Sequence, residues 1–245
     1  MTKALVLAAG LGSRIRDIAG ELPKPLMPFG DDSILAHNLR WLSAAGIEET
    51  WINLHYGADL IRRHIGDGSA FGLKVHYVYE PELLGTAGAL KNISEAVTEP
   101  FLVVYGDNLV RFNLSALRKA HSQSGAEATV VVFDRDRHLN TGIAGGRVQV
   151  SADHVITRFV EGPAAAKLSS LVNAGVYQIE PSLLDHIAPG LAFDFGRDVF
   201  PAMLDQGRKL MAHIMDDAGM CLGLDTPESH AAGHALLASG QLALG

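Results

Sequence analysis

Short apolar runs alternate with amphipathic stretches through the first half of the chain. Runs bounded by turn-forming residues predict buried strands, whereas apolar positions that recur every three or four residues predict helices. The predicted strands cover residues 4–7, 50–54, 74–79, 101–105 and 128–133. The predicted helices cover residues 34–45, 58–65, 87–97 and 114–124. This alternation is typical of an α/β fold with a mostly parallel sheet, helices on both faces, and ligands at the carboxyl ends of the strands.

The pattern changes in the second half of the chain. Three strands with no helix between them are predicted by the apolar runs at residues 146–150, 155–160 and 172–179. Helical patterns return at residues 197–205 and 227–237. Because consecutive strands without crossover helices favour antiparallel pairing, we expect a small antiparallel layer that faces the substrate.

The composition and the net charge argue against several classes of function. The 245 residues suffice for one large α/β domain. The formal net charge of −7 argues against a broad surface for nucleic acid or an anionic membrane, since both need clustered cations. The single cysteine, Cys221, excludes an internal disulfide. No charged and apolar stretch of the kind found in a secretory signal peptide precedes Ala4. No apolar run approaches the ~20 residues that a membrane-spanning helix needs. We therefore expect a cytoplasmic protein.

The candidate chemistry begins where the first predicted strand ends. Residues 7–14 read Leu-Ala-Ala-Gly-Leu-Gly-Ser-Arg, and Pro-Lys-Pro follows at residues 23–25. The two glycines of this loop would let backbone N–H groups approach phosphate closely. Arg14 and Lys24 add cations that can neutralise a polyphosphate. The run lacks the third glycine of the dinucleotide-binding fingerprint and the Gly-Lys-Ser/Thr of a Walker A loop.

This opening resembles the nucleotidyltransferases that activate sugar 1-phosphates, whose pattern is Leu-Ala-x-Gly-x-Gly-Thr/Ser-Arg followed by Pro-Lys-Pro. The matches continue in the family's order to Glu228, and they look most like mannose- or heptose-1-phosphate guanylyltransferases and the N-acetylmuramate-1-phosphate uridylyltransferases. The resemblance implies a Rossmann-like fold and Mg²⁺-dependent transfer of a nucleotidyl group from a nucleoside triphosphate to a sugar 1-phosphate, with release of pyrophosphate. It also allows a homo-oligomer.

The same resemblance suggests how the single domain is organised. Residues 1–134 would form its nucleotide-binding part, and residues 135–245 would form its sugar-phosphate-binding part. The sequence contains no hexapeptide repeat of the kind that builds a C-terminal β-helix in many longer relatives. We therefore expect the transferase domain alone.

A second matching segment joins a predicted strand to a predicted helix. Leu-Gly-Thr-Ala-Gly-Ala at residues 84–89 resembles the nucleobase segment of guanylyl and uridylyl members of the family. Its glycines would let a flat ring lie against the backbone, whose N–H and C=O groups can read a base edge. The alternative is a helix start with Thr86 as its cap. The match belongs to a strand-to-helix segment that runs from Glu80 to Leu90. The nucleotide-binding residues predicted from this segment and from the opening are Leu7, Ala8, Ala9, Gly10, Gly12, Ser13, Arg14, Lys24, Glu80, Gly85, Thr86 and Gly88.

Two aspartates are candidate magnesium ligands. Asp107 follows the apolar run 101–105 and should lie beside the glycine loop. A lone carboxylate there suits Mg²⁺. The alternative is that Asp107 only stabilises a turn. Residues 223–228 read Gly-Leu-Asp-Thr-Pro-Glu and resemble Asp-Ile-Gly-Thr-Pro-Glu, whose first aspartate is the family's second ligand. Here Asp225 would take that role, unless Asp225 or Thr226 only caps a helix. The predicted catalytic residues are Arg14, Lys24 and Asp107.

The acceptor segments depart further from the family pattern. Residues 159–163 read Phe-Val-Glu-Gly-Pro where the family has Phe-x-Glu-Lys-Pro, so Gly162 replaces the lysine that meets the sugar phosphate. Either Lys167 reaches back into the site or the acceptor phosphate is held differently. Asn173 belongs to an Asn-Ala-Gly-x-Tyr match, and asparagine inside a strand is otherwise unfavourable. The predicted sugar-phosphate-binding residues are Asp107, Asn108, Gly142, Glu161, Lys167, Asn173 and Gly175.

Two other functions remain open from the sequence. The Asp225-Thr226 arrangement resembles that of cytidylyltransferases that act on phosphorylated alcohols. The departures at Gly162 and Gly223 favour a catalytically silent regulator that binds a nucleotide-sugar. Release of pyrophosphate distinguishes an enzyme from such a regulator.

Overall fold

The computed structural model describes residues 2–143 and 145–244, in which strands and helices alternate most regularly over the first half. The strands are β1 (Lys3–Leu7), β2 (Pro28–Phe29), β3 (Asp32–Ser33), β4 (Glu49–Leu54), β5 (Lys74–Tyr79), β6 (Phe101–Tyr105), β7 (Asn108–Arg111), β8 (Ala128–Asp134), β9 (Leu139–Asn140), β10 (Arg147–Val150), β11 (Ile156–Val160), β12 (Leu171–Ile179), β13 (Leu210–Ile214) and β14 (Met220–Gly223). The α-helices are α1 (Arg16–Ala19), α2 (Ile34–Ala44), α3 (Ala58–Ile65), α4 (Gly85–Lys91), α5 (Leu114–Ser124), α6 (Phe200–Asp205) and α7 (Pro227–Ala238). Short 3-10 helices cover Ser13–Ile15, Lys24–Leu26, Ser69–Phe71, Ser94–Ala96, Pro163–Lys167 and Pro181–His186.

A nine-stranded sheet forms the centre of the protein. Its main path runs β11-β10-β12-β6-β1-β4-β5, with β8 beside β12 and β13 beside β8. Strands β5, β4, β1 and β6 are parallel, as the alternating pattern predicts. Strand β12 is antiparallel to β6, β8 and β10. The predicted α/β class is therefore confirmed, and the antiparallel strands of the second half extend the central sheet.

A three-stranded sheet of β7, β14 and β9 lies apart from the central sheet. The apolar pattern does not predict β7 or β14, which have four residues each and no long alternation. Their antiparallel pairing places Gly223 opposite Asn108. This register brings the segment before α7 next to the turn that follows β6, although more than one hundred residues separate the two segments in the sequence.

Apolar side chains fill both faces of the central sheet. Leu5 and Val103 belong to one buried cluster, whereas Val6 and Val104, their neighbours in sequence, belong to another. This alternation is expected for strands covered on both faces. A third cluster packs against the small sheet and joins it to the segment after β1; it includes Ile15, Phe29, Leu109, Leu222 and Leu224.

Two predicted helices differ from the structure. The pattern at residues 87–97 is divided into α4 and the 3-10 turn Ser94–Ala96. The pattern at residues 197–205 begins as the π-helical turn Phe195–Val199, whose Gly196 and Arg197 N–H groups donate to the Asp194 side chain. Within the described residues, no helix has the length and apolar character needed to cross a membrane.

Candidate active site

A cleft of about 670 Å³ opens at the carboxyl ends of β1, β4 and β6. This is the edge where α/β sheets collect ligands. The predicted residues that line it are Leu7, Ala8, Ala9, Gly10, Gly12, Ser13, Arg14, Lys24, Glu80, Gly85, Thr86, Asp107 and Asp225. The predicted residues outside this lining are Gly88, Asn108, Gly142, Glu161, Lys167, Asn173 and Gly175.

The glycine loop leaves β1 and turns at Gly12. Gly12 has a φ of +59°, which glycine adopts at little cost, and its carbonyl accepts from the Ile15 N–H to start the 3-10 helix Ser13–Ile15. A Cβ on Gly10 would meet no atom of the described residues within 4 Å. No described neighbour therefore requires glycine at position 10, and the backbone there faces open space.

A buried lysine joins the two candidate metal aspartates. The Lys24 ammonium group donates to Asp107 Oδ2 at 2.7 Å and also to the Asp225 carboxylate. Burial alone would lower the pKa of Lys24, but the two carboxylates outweigh it, so the pKa lies above its ordinary value. The exposed guanidinium group of Arg14 lies 3.4 Å from Asp225 Oδ2. The structure thus brings the three predicted catalytic residues and Asp225 to one place.

Asp225 is not the cap of α7. The Thr226 side chain accepts from the Ser229 N–H, and the Ser229 side chain accepts from the Thr226 N–H, which completes a capping box. The helix-cap alternative therefore holds for Thr226 and is wrong for Asp225. The Asp225 carboxylate faces the cleft.

The chemistry of these two carboxylates fits a magnesium ion. Asp107 and Asp225 present hard oxygen donors around a single ammonium group. Mg²⁺ commonly takes one or two protein carboxylates and fills its other positions with water and phosphate oxygens. Among the described residues, no group of three or more His, Cys, Asp or Glu side chains could hold a metal. A metal in the cleft would therefore depend on this pair and on substrate oxygens.

Residues 84–89, the predicted base segment, are packed against the segment that precedes α6. The Ala87 and Gly88 N–H groups donate to the Phe193 carbonyl at 2.9 and 3.2 Å. A Cβ on Gly85 would collide with that carbonyl. Both glycines of the segment thus have a packing role in addition to the nucleotide contact predicted for them.

Thr86 does not cap α4. Leu84 precedes the helix, and no side chain caps it. The Thr86 hydroxyl donates to Asp194 Oδ2 and accepts from the Phe195 N–H, both at 2.9 Å. The helix-cap alternative is therefore wrong for Thr86, and its side chain connects residues 84–89 to Asp194 and Phe195.

Glu161, which the sequence predicts to bind the sugar phosphate, lies in a niche between two glycines. A Cβ on Gly146 or Gly196 would collide with the Glu161 carboxyl group. Burial raises the pKa of Glu161 to about 7, the Asp194 carboxylate adds to this rise, and Arg197 opposes it. Arg197 lines the cleft and lies 3.8 Å from Asp194 Oδ1. Two carboxyl groups therefore share one exposed cation here.

The asparagine predicted to hold the sugar is bonded within the protein. Asn173 Nδ2 donates to the Tyr177 hydroxyl at 2.8 Å, and Asn173 Oδ1 accepts from the Gly175 N–H at 2.9 Å. Gly175 has a φ of +71°, and a Cβ there would collide with the ring of Tyr105. These contacts shape the wall behind the cleft, and a direct contact of Asn173 or Gly175 with sugar stays a prediction.

Three predicted acceptor residues lie elsewhere. Lys167 is exposed at the end of the 3-10 helix Pro163–Lys167, and Gly142 is exposed with its N–H donating to Asn140 Oδ1. Asn108 is buried as the first residue of β7. The structure does not bring Lys167 into the cleft lining.

Sequence reasoning missed four polar side chains of the cleft lining, Asn53, Tyr105, Asp194 and Arg197. Asn53 could have been found, because an asparagine inside a strand is as unusual at β4 as at β12. Asp194 and Arg197 gave no comparable signal, since they belong to an irregular segment and a π-helical turn.

Comparison with known proteins identifies the family. The model of the nucleotidyl transferase family matches residues 3–224. A UTP–glucose-1-phosphate uridylyltransferase of Synechocystis sp. is 33% identical over 227 residues, covering 87% of this chain and 58% of that protein. A mannose-1-phosphate guanylyltransferase of Mycobacterium tuberculosis is 31% identical over 239 residues, covering 97% of this chain and 65% of that protein. The chain thus spans about three fifths of the length of such relatives.

Solved structures share the fold at lower identity. HddC from Yersinia pseudotuberculosis superposes with a TM-score of 0.79 at 21% identity, covering 97% of this chain and all of that chain. A putative glucose-1-phosphate thymidylyltransferase from Bacillus anthracis has a TM-score of 0.81 at 22% identity, covering 96% of this chain and 95% of that chain. These structures show the fold, and the match of the family model over residues 3–224 shows that the chain belongs to the nucleotidyl transferase family.

Proposed function

We propose that this protein transfers a nucleotidyl group from a nucleoside triphosphate to a sugar 1-phosphate and releases pyrophosphate. The observation that carries the proposal is the Lys24 ammonium group between Asp107 and Asp225, at the edge of the glycine loop. A phosphate site needs cations at the reacting phosphorus and carboxylates for a metal, and this arrangement supplies both. The names of the relatives, which are sugar-1-phosphate nucleotidyltransferases, support the same reaction.

In the proposed reaction, an oxygen of the sugar phosphate attacks the α-phosphorus of the nucleoside triphosphate. The new phosphorus–oxygen bond forms while the bond to the β-phosphate oxygen breaks, and pyrophosphate leaves with the bonding electrons. The N–H groups of the glycine loop would hold the phosphates, while Lys24 and Arg14 would offset negative charge on the reacting phosphoryl group. The protein contributes position and charge, and no covalent intermediate on the enzyme is required.

Asp107 and Asp225 are the residues that would hold Mg²⁺. Bound there, the ion would neutralise phosphate charge and help to align the two substrates. Asp107 is the stronger candidate because it lies two residues after the end of β6, at the carboxyl edge of the sheet.

On the acceptor side, we propose that Glu161 binds sugar hydroxyl groups and that Arg197 binds the sugar phosphate. Arg197 lines the cleft and lies close enough to Glu161 to oppose the rise of its pKa. Lys167, the other candidate for the cation absent at Gly162, is exposed and lies outside the cleft lining. The geometry therefore favours Arg197.

We propose a guanine or uracil nucleotide as the donor, because relatives of both kinds match this chain. The test is a screen of ATP, CTP, GTP and UTP against mannose, glucose, heptose and N-acetylmuramate 1-phosphates and a phosphorylated alcohol. Pyrophosphate release is the readout, and equilibrium binding of the corresponding nucleotide-sugars is measured alongside. Mg²⁺-dependent release with GTP or UTP is expected. Binding of nucleotide-sugar without release under any condition would instead indicate a regulator, and turnover of CTP with a phosphorylated alcohol would indicate a cytidylyltransferase.

A further inference from the structure

A buried chain of hydrogen bonds connects the glycine loop to the base segment. The Ala8 N–H donates to Asn53 Oδ1 at 2.7 Å, and Asn53 Nδ2 donates to Glu80 Oε1 at 2.9 Å. The other carboxylate oxygen, Glu80 Oε2, accepts from the Leu84 N–H at 3.2 Å. Asn53 and Glu80 are 3% and 1% exposed, so water cannot readily replace these bonds.

In this chain of hydrogen bonds, each group can act only as the donor or only as the acceptor that its position requires. Both ends are backbone N–H groups, those of Ala8 and Leu84, which can only donate. Asn53 must therefore present its oxygen to Ala8 and its amide nitrogen to Glu80. Glu80 must then accept twice, and a carboxylate does so whereas a glutamine amide presents one acceptor and one donor.

We propose that Asn53 and Glu80 are positioning residues that set the distance between the phosphate-binding loop and the base segment. The inference rests on the proposed function, because it assumes that one nucleoside triphosphate spans both segments. Glu80 would then act on the nucleotide through the Leu84 and Ala8 backbones, since both of its carboxylate oxygens are already engaged inside the protein. A small displacement of one segment would weaken binding of the whole nucleotide more than binding of its phosphates alone.

The test uses substitutions that change which groups donate and which accept in this chain of hydrogen bonds. Asn53→Asp places an acceptor against Glu80 Oε1, and Glu80→Gln places a donor against either the Asn53 amide or the Leu84 N–H. The double variant restores every bond. The aspartate introduced at position 53 can accept from both the Ala8 N–H and the amide nitrogen of the glutamine introduced at position 80, whose oxygen accepts from the Leu84 N–H. The net charge of the pair also returns to its original value.

Equilibrium binding of ATP, CTP, GTP, UTP and inorganic tripolyphosphate is measured alongside steady-state kinetics. We expect each single variant to weaken binding of the preferred nucleotide about 10-fold or more, with a smaller effect on tripolyphosphate, and the double variant to return within about 3-fold of wild type. The KM for sugar 1-phosphate should change least. Gln178→Glu is the matched control, because it also replaces a buried strand amide with an acid but lies outside the cleft lining.

The outcomes separate positioning from simple stabilisation. Equal losses for nucleotide, tripolyphosphate and sugar phosphate would overturn the inference. So would single variants that lower only the thermal unfolding temperature, which is the effect expected of the Gln178→Glu control. A double variant no better than the single variants, while still folded by circular dichroism, would also overturn it. If wild type binds GTP or UTP but releases no pyrophosphate, only the proposed reaction fails. If it binds none of the four nucleotides, both proposals fail.

Discussion

The site has a proposed donor side, formed by Arg14, Lys24, Asp107 and Asp225, and a proposed acceptor side, formed by Glu161, Asp194 and Arg197. The two sides balance charge in different ways. On the donor side, Lys24 lies between Asp107 and Asp225, and Arg14 adds a second cation beside Asp225. On the acceptor side, Glu161 and Asp194 share only the exposed Arg197 among the described residues. The donor side is thus held together by its own ion pairs before substrate binds. The acceptor side has more carboxyl groups than cations, so its charge depends on the pH and on the bound substrate.

The largest expected effect lies on the donor side. Lys24→Ala should lower kcat/KM by at least ~100-fold, because it removes a buried cation from phosphate and leaves two carboxylates without their partner. Arg14→Ala should also lower turnover by at least ~100-fold, through the loss of charge at the phosphates. Lys74→Ala, which breaks an exposed ion pair with Glu49, is the control and should change little. Activity near wild type in both cleft variants, with unchanged circular dichroism, would contradict the donor-side assignment.

Metal dependence should separate the two aspartates of the donor side. Asp107→Asn and Asp225→Asn should each raise the Mg²⁺ concentration needed for half-maximal rate, by about 10-fold or more, with Asp107→Asn the more severe. Since Thr226 caps α7, asparagine at position 225 should leave the helix intact. Asp217→Asn, at an exposed ion pair with Arg137, is the control. A titration of Asp225→Asn that superimposes on wild type would rule out a ligand role for Asp225.

The acceptor side predicts a contrast between two cations. Arg197→Ala should raise the KM for sugar 1-phosphate about 10-fold and leave the KM for nucleotide nearly unchanged, since an exposed charge–phosphate contact is of moderate strength. Lys167→Ala should change neither KM by more than about 2-fold. A larger rise in the KM for sugar 1-phosphate in Lys167→Ala than in Arg197→Ala would instead indicate that Lys167 binds the acceptor phosphate.

The smallest expected effect is a pH dependence of the acceptor side. The pKa of Glu161 is raised to about 7, so its carboxyl group gains charge as the pH rises through neutrality. The KM for sugar 1-phosphate should fall about 3-fold over this range, because the ionised carboxylate accepts hydroxyl hydrogen bonds better. Glu161→Gln should remove that part of the pH profile. An unchanged profile in this variant would assign the dependence to another group.

The same group links pH to stability. Folding raises the pKa of Glu161 from 4.5 to about 7, so the folded protein holds this proton more tightly than the unfolded chain does. Its contribution to the free energy of unfolding therefore decreases as the pH rises from about 4.5 to 7. Denaturant titrations of wild type and Glu161→Gln should converge at low pH and favour the variant at neutral pH.

How much the sequence predicts also differs between the two sides. The glycine loop and Asp107 follow buried parallel strands, and local rules place such residues at the carboxyl edge of the sheet. Lys24 is indicated by the Pro-Lys-Pro match at residues 23–25. The contact of Asp225 with Lys24 depends on the pairing of β7 with β14, which no local pattern reveals. On the acceptor side, Arg197 enters the cleft from a π-helical turn, while the nearer candidate in sequence, Lys167, stays exposed. Long-range packing decides where these side chains lie, so the periodicity of the sequence alone could not show which of them enter the cleft.

Strand β12 limits how this protein can be cut or recombined. It is made by residues Leu171–Ile179 and pairs with β6 and β8, which lie in the first 134 residues. A fragment that ends before β12 would leave the backbone of β6 unpaired at an open sheet edge, which invites pairing between molecules and aggregation. A chimera that imports the acceptor side of a relative must therefore bring a β12 that matches the register of Val176 opposite Val104.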